Sequence, residues 1–163
     1  KADDQNVQFI LSAATPDCYK RITSKVGDLK VVQGQNYDIM AHSDFIVTAT
    51  GTATLEAACL QKPMIALYKF SPISYWLIKK LVGHRIPKYA ALPNIWLDKM
   101  AVPEFVQVGV EPQNVADNIL KLLNNPKLRE EMSVALQGLN KVMGSKGSLK
   151  KNAEIVLKLL SAR

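Results

Sequence analysis

The chain has 163 residues, 48% hydrophobic and 21% charged, which is the composition of a globular domain with a buried core. No apolar run reaches the roughly 18 residues of a membrane-spanning helix, and the polar, acidic start does not resemble a signal peptide. The two cysteines and two histidines lack the spacing of a zinc site. A formal net charge of +7 is modest and does not by itself indicate a nucleic-acid-binding protein.

Strands and helices alternate along the chain. The predicted strands cover 7–14, 29–32, 45–49, 64–68 and 105–108. The predicted helices cover 16–26, 37–42, 52–61, 71–82, 111–123, 127–143 and 149–160. This order predicts an α/β fold, with a Rossmann-like parallel sheet, helices on both faces and a helical tail over 127–163. Residues 1–163 are expected to form a single domain, and the irregular, apolar-rich segment 87–103 a functional loop.

Ligands of a doubly wound parallel sheet bind beyond the carboxyl ends of its strands. Three predicted loops lie there, at 33–36, 50–54 and 69–71. The loop at 50–54 joins a strand to a helix within a few residues, which is the local pattern of a phosphate-binding turn. We therefore expect a ligand to lie against this loop.

The turn at Gly51 has the residue types that a phosphate site needs. Gly51 has no side chain, so a ligand can approach the backbone closely. Thr52 and Ala53 open a helix whose first N–H groups have no partner inside it and, with the helix dipole, attract phosphate. Glu56 follows one turn later on the same face, where its carboxylate can accept two hydrogen bonds from a ribose diol. An ordinary strand-to-helix turn with a solvated Glu56 fits the same residues.

Basic and aromatic side chains concentrate between Tyr68 and Lys99. This window contains six basic residues against one acid, and six of the eleven aromatic residues. The combination suits an anionic membrane surface or nucleic acid. On the predicted helix 71–82, the face expected to meet a membrane comprises Tyr75, Trp76, Lys79 and Lys80. The face expected to pack on the sheet comprises Leu77, Ile78 and Leu81. A basic helix with a core-facing aromatic stripe is the alternative.

Four segments, in this order and spacing, resemble the lipid-A-disaccharide synthase family. They are 50–56, similar to the family's S-G-T-A-x-L-E turn; 68–82, similar to its Tyr-Lys-x-Ser-Pro segment and following basic helix; 92–95, similar to its S-L-P-N-L loop; and 111–113, Glu-Pro-Gln, similar to the start of its next helix. Thr50 stands where the family has serine, which keeps the hydroxyl. Ala91 replaces another family serine, which removes one possible hydrogen bond.

The resemblance implies the carboxy-terminal, UDP-binding half of a two-domain, inverting GT-B glycosyltransferase. That family joins UDP-2,3-diacylglucosamine to 2,3-diacylglucosamine 1-phosphate, forming lipid A disaccharide and UDP, with no metal or other cofactor. The acceptor domain and the catalytic base are expected in an amino-terminal half that this chain lacks. The catalytic residues are therefore unknown, and the chain alone is expected to be inactive. The resemblance further implies a cytoplasmic protein, peripheral on the anionic cytoplasmic face of the inner membrane, and leaves a homo-oligomer open.

The resemblance also implies roles for individual residues. The expected UDP-binding residues are Gly34, Thr50, Gly51, Thr52, Ala53, Glu56, Asn94 and Gln113. Gly34 would lie against uracil, Glu56 would bind the ribose hydroxyls, and Asn94 would contact the sugar or phosphate of the donor. Gln113 is as readily explained as a cap partner at the start of its helix.

Two other interpretations stay open. Another UDP-sugar transferase, or a UDP-sugar epimerase of the same architecture, would share the turn at 50–56 but is not expected to carry the segments 69–72 and 92–94. A non-enzymatic module that binds membrane or nucleic acid through the basic patch would not bind UDP. The chain contains no recognised nucleic-acid-binding motif, so no nucleic-acid partner is expected.

Overall fold

The computed structural model describes residues 7–81, 83, 88–143 and 147–161. The strands are β1 (Ile10–Ala13), β2 (Lys30–Gln33), β3 (Ile46–Ala49), β4 (Met64–Tyr68) and β5 (Glu104–Val106). The helices are α1 (Pro16–Thr23), α2 (Asn36–His42), α3 (Thr52–Cys59), α4 (Pro72–Leu81), α5 (Leu92–Leu97), α6 (Pro112–Leu123), α7 (Pro126–Gln137), α8 (Leu139–Met143) and α9 (Ser148–Ser161). Parallel strands alternate with helices and the chain ends in helices, so the predicted fold class is confirmed.

The strands form two parallel ladders in the described part of the chain. β1 pairs with β2, and β4 lies between β3 and β5. The sequence predicts one sheet, but no rung joins β1 to β3 among these residues. β1 has only four residues, and the side chains of Phe9 and Ile10 are 52% and 45% exposed. Because these two side chains are largely exposed, their burial contributes little free energy that would join the β1–β2 ladder to the larger ladder.

The core lies on β4 and the helices around it. Met64, Ile65 and Ala66 are fully buried, because β4 has a parallel neighbour on each side and α3 packs against it. The core also includes Ile46, Ala57, Ala58, Ala91, Ala101, Val102, Leu122, Met132, Leu136 and Leu139. Each large buried side chain contributes roughly 1.5–3 kcal/mol. This packing fixes the orientation of β4 and its two neighbours, and therefore the edge of the sheet at which all three strands end.

The segment 87–103, which the sequence predicts to be irregular, contains the helix α5. Pro93 lies in its first turn, where the missing N–H would have no partner in any case. The helix ends at Asp98, which adopts the left-handed conformation with φ 47°. Periodicity does not reveal this helix because its six residues are fewer than two turns.

The helix predicted over 127–143 is broken in two at Gly138. A Cβ atom there would lie 3.2 Å from Cδ2 of Leu97, so glycine allows α5 to approach closely. Leu136 and Leu139, on either side of the break, are each only 1% exposed. α7 and α8 therefore belong to the core. In α9, by contrast, every side chain that the structure describes is exposed.

α4 does not pack as the sequence predicts. None of its residues is buried. Leu77 and Leu81, which the pattern places against the sheet, are 46% and 74% exposed, and Ile73 is 79% exposed. Ile78, the third residue of the predicted face, is half-buried. The prediction is therefore wrong for Leu77 and Leu81, because an apolar position opposite lysines need not be buried.

Candidate functional site

The loops that follow β3, β4 and β5 share one edge of this ladder, because the three strands are parallel and their carboxyl ends point the same way. The backbone N–H of Thr50 donates to the carbonyl of Leu67 at 2.9 Å. This bond extends the pairing of β3 with β4 by one rung beyond Ala49. The turn at Gly51 therefore begins at the edge itself, beside the end of β4.

Gly51 has a backbone conformation that side chains avoid, with φ 149° and ψ −159°. No atom lies within 4 Å of the place where its Cβ would be, so the chain direction rather than space requires glycine. Thr54 is fully buried beneath the turn. Its Oγ1 and its backbone N–H both donate to the carbonyl of Gly51, at 2.6 and 3.1 Å. This threonine, which sequence reasoning does not single out, holds the turn from the protein side.

The first N–H groups of α3 are open at this turn. No side chain caps the helix. The N–H groups of Thr52 and Ala53 have no acceptor among the described residues, and Thr52 is exposed. Free N–H groups at the positive end of a helix dipole attract anions. The backbone therefore has the arrangement that the sequence predicts for a phosphate turn.

Glu56 lies one turn into the same helix and is half-buried. Within the described part of the chain, its carboxylate has neither a hydrogen bond nor an ion pair. Both oxygens are acceptors, and two acceptors match the two hydroxyls of a diol. The side chain is thus available to a ligand at this edge.

The loop after β2 lies on the smaller ladder. Gly34 has φ 75°, and its N–H donates to the carbonyl of Ala13 at 3.2 Å. The space where its Cβ would be is open. No hydrogen bond links this loop to the turn at Gly51 among the described residues. The contact of Gly34 with a uracil ring stays a prediction.

Gln113 lies in the first turn of α6 but does not cap it. Its Nε2 donates to Oδ1 of Asp117 at 2.8 Å, one turn further along, and Glu111 makes no capping bond either. Gln113 also lines an open, largely apolar cavity of about 540 Å³ together with Phe9 and Leu67. The carbonyl oxygen of its side chain has no partner in the described residues, so one acceptor remains for a ligand.

Asn94 is fully buried, and its amide group is used within the protein. Its Oδ1 accepts from the N–H groups of Ala101 and Val102 at 2.7 and 2.9 Å. Its Nδ2 donates to the carbonyl of Val102 at 2.8 Å and to Oε2 of Glu104 at 3.0 Å. A carboxamide has two acceptor and two donor positions, so none is left for a ligand. The structure thus engages the amide group of Asn94 within the protein, and its contact with the donor stays a prediction.

Residues 1–158 match the profile of a protein family described as lipid-A-disaccharide synthetase. The chain belongs to this family. A relative named lipid-A-disaccharide synthase from Persephonella marina is 32% identical over 140 residues, which cover 86% of this chain and 36% of the relative. The lipid-A-disaccharide synthase of Sulfurihydrogenibium is 35% identical over 141 residues, covering 85% of this chain and 36% of the relative. The resemblance is confirmed.

The match to the relatives is partial on their side. The lipid-A-disaccharide synthase of Solibacter usitatus is 32% identical over 163 residues, covering 98% of this chain but 42% of the relative. For the Cellvibrio japonicus protein the covered share is 33%. The chain therefore spans between about a third and two fifths of the length of the curated relatives that it matches.

In this member of the lipid-A-disaccharide synthase family, α4 carries an exposed apolar and basic surface. Ile73, Trp76, Leu77 and Leu81 recur at helical spacing, and Trp76 is 59% exposed. The Nζ atom of Lys80 lies 4.9 Å from the centroid of the Trp76 ring. Among the described residues, no helix combines the length and the apolar character needed to cross a bilayer.

Lys88 is a second cation that lies close to an aromatic ring. Nζ of Lys88 lies 4.9 Å from the centroid of the Tyr89 ring, which is buried. The side-chain hydrogen bond to Tyr89 raises the pKa of Lys88. This ammonium group therefore stays charged throughout the physiological pH range.

Sequence reasoning misses two polar residues, Glu104 at the start of β5 and Gln107 directly after its last residue. The carboxylate of Glu104 accepts hydrogen bonds from backbone N–H groups that precede α5. The carboxamide of Gln107, in the turn after β5, pairs with the backbone of Phe70. The available signal is a Glu and a Gln three residues apart within an otherwise apolar stretch.

Proposed function

We propose that this chain is the UDP-sugar-binding part of a lipid-A-disaccharide synthase. The complete enzyme would be an inverting GT-B glycosyltransferase that condenses UDP-2,3-diacylglucosamine with 2,3-diacylglucosamine 1-phosphate and releases UDP. Family membership supports the reaction class. The observation that carries the assignment to the donor side is the uncapped N-terminus of α3, which begins at Gly51 on the carboxyl edge of the ladder.

The proposed diphosphate site is the turn formed by Thr50, Gly51, Thr52 and Ala53. Negative charge develops on the leaving UDP as its bond to the anomeric carbon breaks. The open N–H groups of Thr52 and Ala53 face that charge and are already oriented by the helix, so they stabilise it without reorganisation. Such stabilisation strengthens in the transition state, and the hydroxyl of Thr50 lies at the same edge.

The other nucleotide contacts follow from their positions at the strand ends. The carboxylate of Glu56 would accept from the two ribose hydroxyls. Gly34, which is exposed and has open space before it, would lie against uracil. Gln113 would offer its side-chain oxygen from the start of α6. A base is still needed to take the proton from the acceptor hydroxyl. We place that base in the part of the family protein that this chain does not span, so the chain alone would bind donor nucleotide without transferring sugar.

The exposed surface of α4 is the proposed contact with the membrane in which both lipid substrates are embedded. Trp76 and Tyr75 would lie at the headgroup level, while Lys79 and Lys80 meet lipid phosphates. The apolar side chains of the same helix, of which Ile73 is the most exposed, would enter the boundary between the lipid headgroups and the acyl chains. The full-length protein would then be peripheral on the cytoplasmic face of the inner membrane.

A calorimetric titration of the folded chain with UDP tests the donor assignment. We expect saturable binding that Glu56→Ala weakens by about tenfold or more, because hydrogen bonds to a charged group are among the stronger ones. Glu130→Ala is the matched control, since Glu130 is an exposed carboxylate of α7 and not of a predicted ligand-binding segment. Absence of binding by a chain that is shown to be folded, or equal affinities for the two variants, would contradict the assignment.

A further inference from the structure

The chain leaves the core after β4 and returns to it before α5. The described part of this excursion includes α4, none of whose residues is buried. Its two ends are nevertheless fixed, one at Phe70 and the other at Ala90 and Ala91. Both ends are bound by side chains from one short stretch of chain. This stretch comprises β5 and the 3₁₀ turn Gln107–Gly109 that follows it.

Gln107 holds the first end of the excursion. Its Oε1 accepts the N–H of Phe70 at 3.0 Å, and its Nε2 donates to the carbonyl of Phe70 at 3.4 Å. The last backbone pair between β4 and β5 is Tyr68 with Val106. The carboxamide therefore supplies a rung after the backbone ladder has ended. Gln107 has φ 56°, in the left-handed region, so its backbone leaves the strand at this residue.

Glu104 holds the second end. Its Oε1 accepts the N–H of Ala90 at 2.9 Å, and its Oε2 accepts the N–H of Ala91 at 2.8 Å. Oε2 also accepts from Nδ2 of Asn94 at 3.0 Å. Three donors on one carboxylate form a connected network, and Asn94 carries it on to Val102 in the core. The entry to α5 is thereby tied to β5.

We propose that Glu104 and Gln107 are positioning residues that fasten both ends of the α4 excursion and hold the loop after β4 beside the phosphate turn at Gly51. The inference rests on the proposed function, since that turn is the proposed diphosphate site. The loop and the turn follow neighbouring parallel strands, which the bond from Thr50 to Leu67 links close to their carboxyl ends. The loop also brings the exposed cation of Lys69 to this edge. Fixing Phe70 therefore fixes where that charge lies relative to a bound diphosphate.

Amide hydrogen exchange, measured by NMR on the 163-residue chain, tests the hydrogen bonds at the two ends of the excursion directly. In Gln107→Met, which keeps the length of the side chain, the N–H of Phe70 loses its acceptor, and we expect its exchange to accelerate by roughly tenfold. In Glu104→Gln the amide nitrogen cannot accept, so exchange should accelerate at Ala90 or Ala91. The N–H of Ala66, which bonds to Pro103 inside the ladder, should keep its rate in both variants.

Matched controls are Gln137→Met and Glu130→Gln, which change exposed residues of α7 in the same way. They should leave the exchange of Phe70, Ala90 and Ala91 as in the wild type. Unchanged exchange of Phe70 in Gln107→Met would overturn the inference, because the side chain of Gln107 would then not protect this N–H. Equal acceleration at Ala66 would also overturn it, because the whole sheet would then be destabilised.

Titration of the same variants with UDP tests the positioning role. We expect Gln107→Met to raise the Kd for UDP by roughly threefold to tenfold while the melting temperature stays within a few degrees of the wild type. Accelerated exchange at Phe70 with an unchanged Kd would overturn the positioning role. If the wild-type chain binds no UDP, the proposed function fails and the positioning role fails with it, whereas the exchange rates still show whether β5 fastens the excursion.

Discussion

Gly51 shows at the scale of one residue why the turn needs glycine. Its φ and ψ lie in a region that L-residues rarely adopt, although the space around it is open. We expect Gly51→Ala to lower the free energy of unfolding by about 1–3 kcal/mol, which for this length lowers the melting temperature by several degrees. Thermal unfolding followed by circular dichroism measures the shift.

Gly109→Ala is the control for this substitution. Gly109 has no left-handed φ, and its new Cβ would make an ordinary contact of 3.5 Å with Phe105. A melting temperature for Gly51→Ala that matches this control would show that the backbone at the turn can relax. The glycine would then be needed only for the approach of a ligand.

Asn94 and Glu56 are two polar residues whose side chains have different environments in the structure. Both stand in segments that resemble the family, yet Glu56 has an unoccupied carboxylate at the edge, whereas Asn94 is buried with every amide position bonded. Residue type and spacing do not separate these cases. Burial separates them, and burial depends on where β5 and α5 meet.

α4 has the chemistry of an interfacial helix. Its exposed apolar side chains lie beside Lys79 and Lys80 and no acid occurs within the helix. We expect Lys79→Glu with Lys80→Glu to weaken binding to vesicles rich in anionic phospholipid by at least about tenfold, because each lysine near such a surface contributes about 1 kcal/mol. Co-sedimentation with the vesicles measures the effect.

The matched control for α4 is Lys127→Glu with Lys141→Glu, which makes the same change of net charge on exposed residues of α7 and α8. It should reduce vesicle binding far less, since neither lysine lies on α4, which carries the exposed Ile73 and Trp76. Equal loss in the two double variants would mean that net charge alone draws the chain to the membrane. Unchanged binding in the α4 variant would leave this helix without a role in the contact.

Short helices are the elements that pattern alone does not resolve. α5 has six residues and α8 has five, which is too few for an apolar period of 3.6 residues to repeat. Their ends depend on Asp98, in the left-handed conformation, and on Gly138, where a Cβ atom would make a tight contact of 3.2 Å with Leu97. Both features come from contacts between elements distant in sequence.

At the scale of the whole molecule, a ligand that binds only the folded chain must stabilise it. UDP at about 100 times its Kd is expected to add about 2.7 kcal/mol to the free energy of unfolding, which raises the melting temperature by several degrees. Uridine at the same concentration should stabilise less, because it has no diphosphate for the N–H groups of Thr52 and Ala53. Equal shifts for UDP and uridine would mean that the turn at Gly51 does not bind phosphate.

Sequence and tertiary structure determine different parts of this protein. The order of the strands and of the longer helices, and the open turn at Gly51, follow from local hydrogen bonding and apolar periodicity among neighbouring residues. The division of the strands into two ladders, the burial of Asn94 and the solvent-facing apolar side of α4 do not. They depend on which surfaces meet in space, because burial is a property of two packed elements and a single segment specifies only one of them.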